Sequence, residues 1–279
     1  MLSIRNQAFL KYICNFIFIL YINTLDNISD LITIYIERKI IYMFISKDLM
    51  KLCAAEFDMD LSDQIIDKFD TYAYELVKYN EKVNLTAITE PDEIVVKHFA
   101  DSLAFFKYSE IESGNTFADV GTGAGFPGVP VLIAGDNINV TLFDAVNKKL
   151  DFIRYLLGEL DLKADVVHIR AEEAGKMPEY REHFDFVTAR AVAQLRVLSE
   201  FCLPLVKVGG KFVSMKGDIS EDEKVNGIAA FKKLSSELYD DIHYNIHNGD
   251  ARNIIIAKKI SQISPKYPRN MGQISKKPL

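Results

Sequence analysis

Cysteine is scarce in this chain of 279 residues. The three cysteines, Cys14, Cys53 and Cys202, lie far apart, and no Cys-x-x-Cys pair or Cys/His cluster occurs. We therefore expect neither a disulfide framework nor a metal site, and this cysteine usage fits a reducing cytoplasm. Long apolar runs are also lacking. The densest run, residues 12–22, is broken by Asn15, whereas a membrane-spanning helix needs roughly 20 apolar residues, so no stable membrane association is expected.

Glycine and proline are absent from residues 1–45, which are crowded with isoleucine, tyrosine, phenylalanine and asparagine. We interpret this segment as an N-terminal extension outside the working domain, with Met43 and Met50 as candidate natural starts. A helical cap that packs on the body and a weak interfacial anchor are the alternatives.

Positive charge is in deficit, since the formal net charge is −6 at pH 7, which argues against a protein that coats nucleic acid over its whole surface. The distribution is uneven. Residues 252–279 carry seven cations and no acid, which leaves the rest of the chain at −13. We interpret residues 261–279 as a basic C-terminal tail.

The spacing of apolar residues changes along the rest of the chain. Residues 46–112 are predicted to form a helical cap, because apolar side chains in 49–82 recur at helical spacing and 91–107 has a proline in its first turn. Over residues 113–260, strand-like and helical runs alternate. This pattern predicts an α/β domain with a doubly wound, mostly parallel, seven-stranded sheet. The last two strand-like runs have no helix between them and are expected to add an antiparallel edge.

Residues 116–130, with the sequence TFADVGTGAGFPGVP, read as a buried strand, a glycine-rich turn and the start of a helix. Gly121, Gly123 and Gly125 remove every side chain from one side of the turn. The backbone can then approach a ligand closely, with free N–H groups at the helix start. The next strand ends in Asp144, 19 residues after Gly125. An acid at this spacing predicts hydrogen bonds to the ribose hydroxyls of an adenosine moiety.

Two classes of cofactor satisfy this pattern. Gly123, Gly125 and Gly128 match the G-x-G-x-x-G spacing of dinucleotide sites, so a nicotinamide oxidoreductase and a methyltransferase that uses S-adenosylmethionine are both allowed. Asp119 favours the methyl donor, since a carboxylate attracts the donor's ammonium group and repels a pyrophosphate. Pro127 favours it too, because proline removes an N–H donor from the helix start.

The segment 119–130 resembles the donor-binding motif of the RsmG family, also called glucose-inhibited division protein B. These are bacterial methyltransferases for N7 of a guanine in 16S ribosomal RNA. The similarity covers roughly residues 45–279. It continues in NLTAI at 84–88, KHFADSL at 97–103, RAEE at 170–173, TARAVA at 188–193, MKG at 215–217 and the basic ending 266–279. The resemblance implies the Rossmann-like fold of class I S-adenosylmethionine-dependent methyltransferases, with 113–260 as the domain that binds the donor.

The same resemblance implies donor contacts at Gly121, Phe126, Ala171, Glu172 and Arg190. In this interpretation Phe126 shields the sulfonium from water, Glu172 accepts a hydrogen bond from the adenine amino group, and Arg190 faces the acceptor. Guanine N7 carries a lone pair and no proton. Transfer to it needs alignment and exclusion of water, so we assign no residue as a general acid or base.

An RNA acceptor requires contacts to phosphates. His98 and Asp101, three residues apart on a predicted helix, share a face and are candidates for the pocket lining, with a structural hydrogen bond as the alternative. The basic candidates for RNA contacts are Lys148, Lys149, Arg196, Lys216, Lys266, Arg269, Lys276 and Lys277. The expected partner is 16S ribosomal RNA or the small ribosomal subunit. A nicotinamide oxidoreductase and a non-catalytic RNA-binding factor on the same fold stay open as alternatives.

Overall fold

The computed structural model describes residues 43–190 and 193–279. Contacts divide the chain into two units, Met1–Met43 and Phe44–Leu279. The extension predicted for residues 1–45 lies, apart from its last three residues, outside the described part and stays a prediction. The boundaries predicted for the cap and the tail stay predictions as well. Within the described ranges, no helix combines the length and apolar character needed to cross a membrane.

Helices precede the sheet, as the apolar spacing predicts. Where that spacing suggests one helix over 49–82, the structure has two, α1 (Lys47–Ala55) and α2 (Asp63–Asn80). The break has a local cause. Asp58 lies in the left-handed region at φ 60°, and the Ser62 hydroxyl accepts a hydrogen bond from an N–H in the first turn of α2. A left-handed residue ends α1, and a serine cap begins α2.

A run of helical segments leads from the cap to the sheet. It consists of α3 (Pro91–Ile94), a π-helical turn (Val95–Ala100) and α4 (Asp101–Ser109). Such π-helical turns are frequently found at functional sites. This one contains His98 and is followed directly by Asp101, and both residues line the cleft at the edge of the sheet.

A seven-stranded sheet forms the centre of the described chain. Its strands are β1 (Thr116–Val120), β2 (Asn139–Asp144), β3 (Asp165–His168), β4 (Phe184–Arg190), β5 (Val206–Lys216), β6 (Ser236–Asn245) and β7 (Ala251–Lys259). Their order is β3-β2-β1-β4-β5-β7-β6. Neighbours are parallel from β3 to β5, whereas β7 is antiparallel to both β5 and β6. The doubly wound, mostly parallel sheet with an antiparallel edge is confirmed.

Helices connect the strands. They are α5 (Gly128–Ala134), α6 (Asn147–Glu159), α7 (Ala171–Ala174), α8 (Leu195–Cys202) and α9 (Glu221–Lys233). The sequence reasoning did not find α9, because only Gly227, Ala230 and Phe231 of this charged helix are buried and its apolar stripe is short. Because α9 joins β5 to β6, β6 forms the outer edge of the sheet. The next strand, β7, then lies between β6 and β5 and pairs with both.

The chain after β7 packs against the body and ends in a short helix, α10 (Met271–Lys276). Ile263, Tyr267 and Ile274 are buried in a core that also contains residues of β4 and α8. Arg181 donates hydrogen bonds to the carbonyls of Tyr267 and Ile263, at 2.8 and 2.9 Å. This segment is therefore part of the packed structure as well as being basic.

Candidate active site

The carboxyl ends of the parallel strands open into a cleft of about 820 Å³. It adjoins the point between β1 and β4 where the strand order reverses, which is where open α/β sheets bind ligands. Seven of the nine residues predicted to contact a donor line it. They are Gly121, Gly123, Phe126, Asp144, Ala171, Glu172 and Arg190. The other two, Asp119 and Gly125, are not part of the lining.

The glycine loop uses its N–H groups within the protein. Six of these N–H groups donate hydrogen bonds to nearby carbonyls and carboxylates. They are the N–H groups of Gly121, Thr122, Gly123, Gly125, Phe126 and Gly128. The expectation of free N–H groups at this helix start is therefore wrong, because the loop folds back on its own acceptors. A pyrophosphate needs such N–H groups, so these six hydrogen bonds disfavour the nicotinamide alternative.

Asp119 holds the loop together. Its side chain is fully buried, and Oδ2 accepts hydrogen bonds from the Thr122 hydroxyl at 2.7 Å and the Gly128 N–H at 2.9 Å. Among the described residues, Oδ1 has no hydrogen-bond partner. Burial raises the pKa of this carboxyl to about 6, although the two hydrogen bonds act in the opposite direction. An unpartnered buried oxygen fits a site for the donor's ammonium group, and that contact stays a prediction.

The variant Asp119→Asn is expected to weaken donor binding about tenfold at pH 8, because it removes the charge that attracts the ammonium group. It keeps one oxygen that can accept from Thr122 and Gly128. In the unsubstituted protein, donor affinity should fall as the pH drops through about 6, since protonation neutralises the carboxylate. The variant should lack this dependence. Titration calorimetry with S-adenosylmethionine measures both effects, and equal affinities at pH 8 would mean that Asp119 only supports the loop.

Asp144 is the last residue of β2, and both of its carboxylate oxygens are held in place by backbone hydrogen bonds. Oδ2 accepts a hydrogen bond from the Gly123 N–H at 2.9 Å, and Oδ1 accepts one from the Val146 N–H at 2.8 Å. Each oxygen can accept a further hydrogen bond, and the side chain lines the cleft. The carboxylate is thus held in place at the position where the spacing predicts the ribose. The ribose contact itself stays a prediction.

Gly125 faces the helical cap. A Cβ at this position would lie 2.7 Å from the Tyr72 hydroxyl oxygen and 2.7 Å from Val129 Cγ2, and the backbone has a φ of 103°. The Tyr72 hydroxyl donates a hydrogen bond to the Ala124 carbonyl at 2.6 Å. Glycine is therefore needed here because α2 packs against the back of the loop.

Phe126 belongs to an aromatic stack beside the cleft. Its ring lies 5.1 Å from that of Tyr72 and 4.3 Å from that of His98, with interplanar angles of 12° and 18°. The Arg190 guanidinium carbon lies 5.0 Å from the centre of the Phe126 ring. The stack joins α2, the π-helical turn and the glycine loop, and it places apolar surface where the prediction puts the sulfonium.

Arg190 ends β4 in a largely buried network. Its Nη1 donates hydrogen bonds to the His98 carbonyl, Asp101 Oδ2 and Ser102 Oγ, each at 3.2 Å. Its side chain is 11% exposed, so the pair with Asp101 is not a surface ion pair. The guanidinium thereby connects the end of β4 to the π-helical turn and α4, the helical segments that lead from the cap to the sheet.

His98 is neutral in this network. Burial, followed by the charge of Arg190, lowers its pKa to about 3. Its Nδ1 lies 3.4 Å from Arg190 Nη2, and its Nε2 lies 2.9 Å from the Thr86 hydroxyl. A guanidinium can only donate, so Nδ1 accepts and the ring proton is assigned to Nε2. His98 connects the loop of Thr86 to Arg190 and is a poor proton acceptor near neutral pH.

The residues predicted to bind RNA lie in different surroundings. Lys149 and Lys216 line the cleft, although Lys216 pairs with Glu223 at 2.8 Å. Arg196 donates to the Gln194 side chain, and Arg269 pairs with Glu200. The exposed cations of the set are Lys148, Lys266, Lys276 and Lys277. RNA contact stays a prediction for all eight.

The structure adds residues that the sequence reasoning did not assign to a site. The cleft is also lined by Thr86, Lys97, Phe201, Arg252 and Met271. Lys97 stands beside His98 in the quoted KHFADSL segment, so proximity in sequence could have suggested it. The other four come from distant elements, namely a loop for Thr86, β7 for Arg252, α8 for Phe201 and α10 for Met271. Within the described ranges, no three His, Cys, Asp or Glu side chains gather as ligands for a metal ion.

The strand order, the glycine loop after β1 and the oriented carboxylate at the end of β2 define a class I S-adenosylmethionine-dependent methyltransferase. Comparisons with known proteins then specify the family. The model of the family described as rRNA small subunit methyltransferase G, or GidB, matches residues 65–254.

Three relatives named ribosomal RNA small subunit methyltransferase G illustrate the match. That of Clostridium botulinum (strain Eklund 17B / Type B) is 44% identical over 83% of this chain and 98% of its own length. That of Desulfitobacterium hafniense (strain Y51) is 45% identical over 83% of this chain and 96% of its own length. That of Acetivibrio thermocellus is 45% identical over 81% of this chain and 93% of its own length. The chain belongs to the rRNA small subunit methyltransferase G family, and its methyl donor is S-adenosylmethionine.

Proposed function

We propose that this chain transfers the methyl group of S-adenosylmethionine to N7 of a guanine in the 16S ribosomal RNA of the small subunit, in the cytoplasm. The observation that carries the proposal is the convergence of Asp144, Glu172 and Arg190 on one cleft in a member of this family. The thiols of Cys53 and Cys202 are buried and unpaired, which is compatible with a reducing compartment.

The residues that line the cleft, together with the buried Asp119 behind the glycine loop, suit the donor. Asp144 orients the ribose, Glu172 accepts from the adenine amino group, and Asp119 attracts the ammonium group. When bound, the donor supplies an electrophilic methyl group on a positively charged sulfur. Phe126 and its stacked neighbours exclude water from that side of the cleft, which favours attack by the nucleic acid over attack by solvent.

The acceptor needs no proton acceptor from the protein. Guanine N7 forms the new bond with its in-plane lone pair, and the positive charge passes from the sulfur to the methylated base. The low pKa of His98, about 3, agrees with this chemistry, since no base near neutral pH is required. The protein's task is to align N7 with the methyl group.

The proposal is tested by mapping N7-methylguanosine in 16S ribosomal RNA from cells with and without the gene. We expect one modified guanine to lose its methyl group in the deletion strain and to regain it when purified protein and S-adenosylmethionine are added. A non-catalytic RNA-binding factor would bind the RNA and leave the modification unchanged. An oxidoreductase would bind a nicotinamide dinucleotide in calorimetry and not S-adenosylmethionine.

The exposed C-terminal lysines are expected to contribute to RNA binding. Replacing Lys266, Lys276 and Lys277 by glutamate should weaken the binding of small subunits at least tenfold. It should also make binding less dependent on salt, because fewer phosphate contacts release fewer counterions. Donor affinity should not change. Filter binding at several salt concentrations measures this. A matched control replaces three exposed lysines outside the cleft lining by glutamate, namely Lys163, Lys232 and Lys233. Equal losses in both triple variants would mean that only net charge matters.

A further inference from the structure

One carboxylate lies between two guanidinium groups at one end of the cleft. Asp101 Oδ2 accepts from Arg190 Nη1 at 3.2 Å, and Asp101 Oδ1 accepts from Arg252 Nε at 3.1 Å. The Tyr244 hydroxyl donates to Oδ1 as well, at 3.2 Å. The Asp101 side chain is only 7% exposed. Both of its oxygens therefore have partners in the protein, and its effect on a ligand is exerted through the two arginines.

The charges of this cluster do not balance. Two guanidinium groups share one carboxylate, and their side chains are only 11% and 17% exposed, for Arg190 and Arg252. Lys97 also lines the cleft, but Glu93 pairs with it at 2.7 Å. Among these five side chains one positive charge is left over in a partly desolvated site, where it is costly without an anion. The buried carboxylate of Asp119 also interacts with Arg190, but it is predicted to pair with the donor's ammonium group. The cluster is thus suited to bind one further negative group.

Arg252 has one guanidinium nitrogen available for such a group. Its Nε donates to Asp101 and its Nη1 donates to the Ala251 carbonyl at 3.0 Å. As far as the described residues go, Nη2 is left without a hydrogen-bond partner. A guanidinium presents its donors in a rigid plane that matches the oxygens of a phosphate. Arg252 is therefore held in place through Nε and Nη1 and keeps Nη2 available for a ligand.

The position of Arg252 in the sheet separates it from the residues predicted to bind the nucleoside half of the donor. Gly121, Asp144 and Glu172 follow β1, β2 and β3, whereas Arg252 lies on β7. From β2 to β7 the order crosses four strand spacings, which at about 4.8 Å each amounts to roughly 19 Å. The anion at Arg252 should accordingly come from the acceptor and not from the nucleoside half of the donor.

We propose that Arg252 and Arg190, held apart by Asp101, form a seat for one backbone phosphate of the RNA strand next to the target guanine. Asp101 is a positioning residue in this seat, since it touches the arginines and not the RNA. The inference rests on the proposed function, because it presumes an RNA acceptor. Binding and methyl transfer are therefore measured separately.

The first test replaces Arg252 by glutamine and compares it with Lys163→Gln, an exposed cation outside the cleft lining. Small subunits from cells that lack the gene serve as the probe. Arg252→Gln should weaken their binding about tenfold and reduce the slope of log Kd against log salt by about one, while donor Kd stays within twofold. Lys163→Gln should match the unsubstituted protein. Unchanged subunit binding by Arg252→Gln would overturn the seat, and a loss confined to donor binding would assign the arginine to the donor's carboxylate instead.

The second test replaces Asp101 by asparagine. A carboxylate is lost, so the site becomes more positive and subunit binding should be as tight as before or tighter. The rate of methyl transfer at saturating subunits should nevertheless fall at least tenfold, because the phosphate is no longer held in one place. A parallel loss of binding, rate and thermal stability would show a purely structural role and contradict the proposal. If the unsubstituted protein transfers no methyl group, the proposed function fails, while weaker subunit binding by Arg252→Gln would still support the seat.

Discussion

Replacing Arg269 by alanine is expected to lower the free energy of unfolding by about 3–5 kcal/mol, although Arg269 lies in the basic C-terminal segment. Glu200 is fully buried, and three groups of Arg269 donate to its carboxylate. These are the backbone N–H and Nε at 2.8 Å and Nη2 at 2.6 Å. The variant keeps the backbone N–H but loses both guanidinium donors, so the buried carboxylate is left without its counter-charge. Urea denaturation followed by circular dichroism measures the change.

Two further variants check the cause of this loss. Lys276→Ala, an exposed neighbour on α10, should change stability by no more than about 0.5 kcal/mol. Combining Arg269→Ala with Glu200→Gln should recover part of the stability, because the buried charge is then removed together with its partner. If Arg269→Ala is as stable as Lys276→Ala, the ion pair does not hold the C-terminal segment in solution.

Asp144→Ala is expected to weaken the binding of S-adenosylmethionine ten- to hundredfold. The carboxylate is predicted to accept from both ribose hydroxyls, and the loss of this hydrogen-bonded charge is expected to cost about 1.5–3 kcal/mol in all. It also holds the Gly123 N–H at 2.9 Å, so the loop loses support together with the ligand. Titration calorimetry gives the dissociation constants directly.

A matched control for this variant is Asp151→Ala on α6. Asp151 is a half-exposed carboxylate that pairs with Arg154, and it does not line the cleft. Its removal should leave donor affinity within twofold. An unchanged dissociation constant for Asp144→Ala would reject the ribose assignment, and an equal loss in both variants would point to an unspecific effect of charge.

Local features of the site could be predicted from the sequence. The glycine stretch predicts a strand, a turn and a helix, because these depend on residues within a few positions of one another. Asp144 is placed by its distance along the chain from Gly125, since a β-α-β unit of ordinary length returns the next strand to the same edge of the sheet. The alternation of strands and helices predicts parallel pairing for the same reason.

Other features depend on contacts between distant residues. Asp101 and Arg252 are 151 positions apart, and they meet only because β7 inserts next to β5. Four N–H groups of the glycine loop donate hydrogen bonds to acceptors of Phe143, Asp144 and Asp119, and no spacing rule reveals these partners. The seven cations of residues 252–279, which contain no acid, favour RNA binding, yet Arg269 pairs with a buried carboxylate on α8.

The glycine-rich turn, the acid after the second strand and the parallel sheet were determined by the sequence alone, because local backbone preferences and apolar periodicity act over short distances. The packing of the cap against Gly125, the buried charges around Asp101 and the anchoring of the C-terminal segment were decided only by the tertiary structure. Their partners lie on separate elements, and whether a charged side chain faces solvent, a ligand or a buried counter-charge depends on how those elements pack.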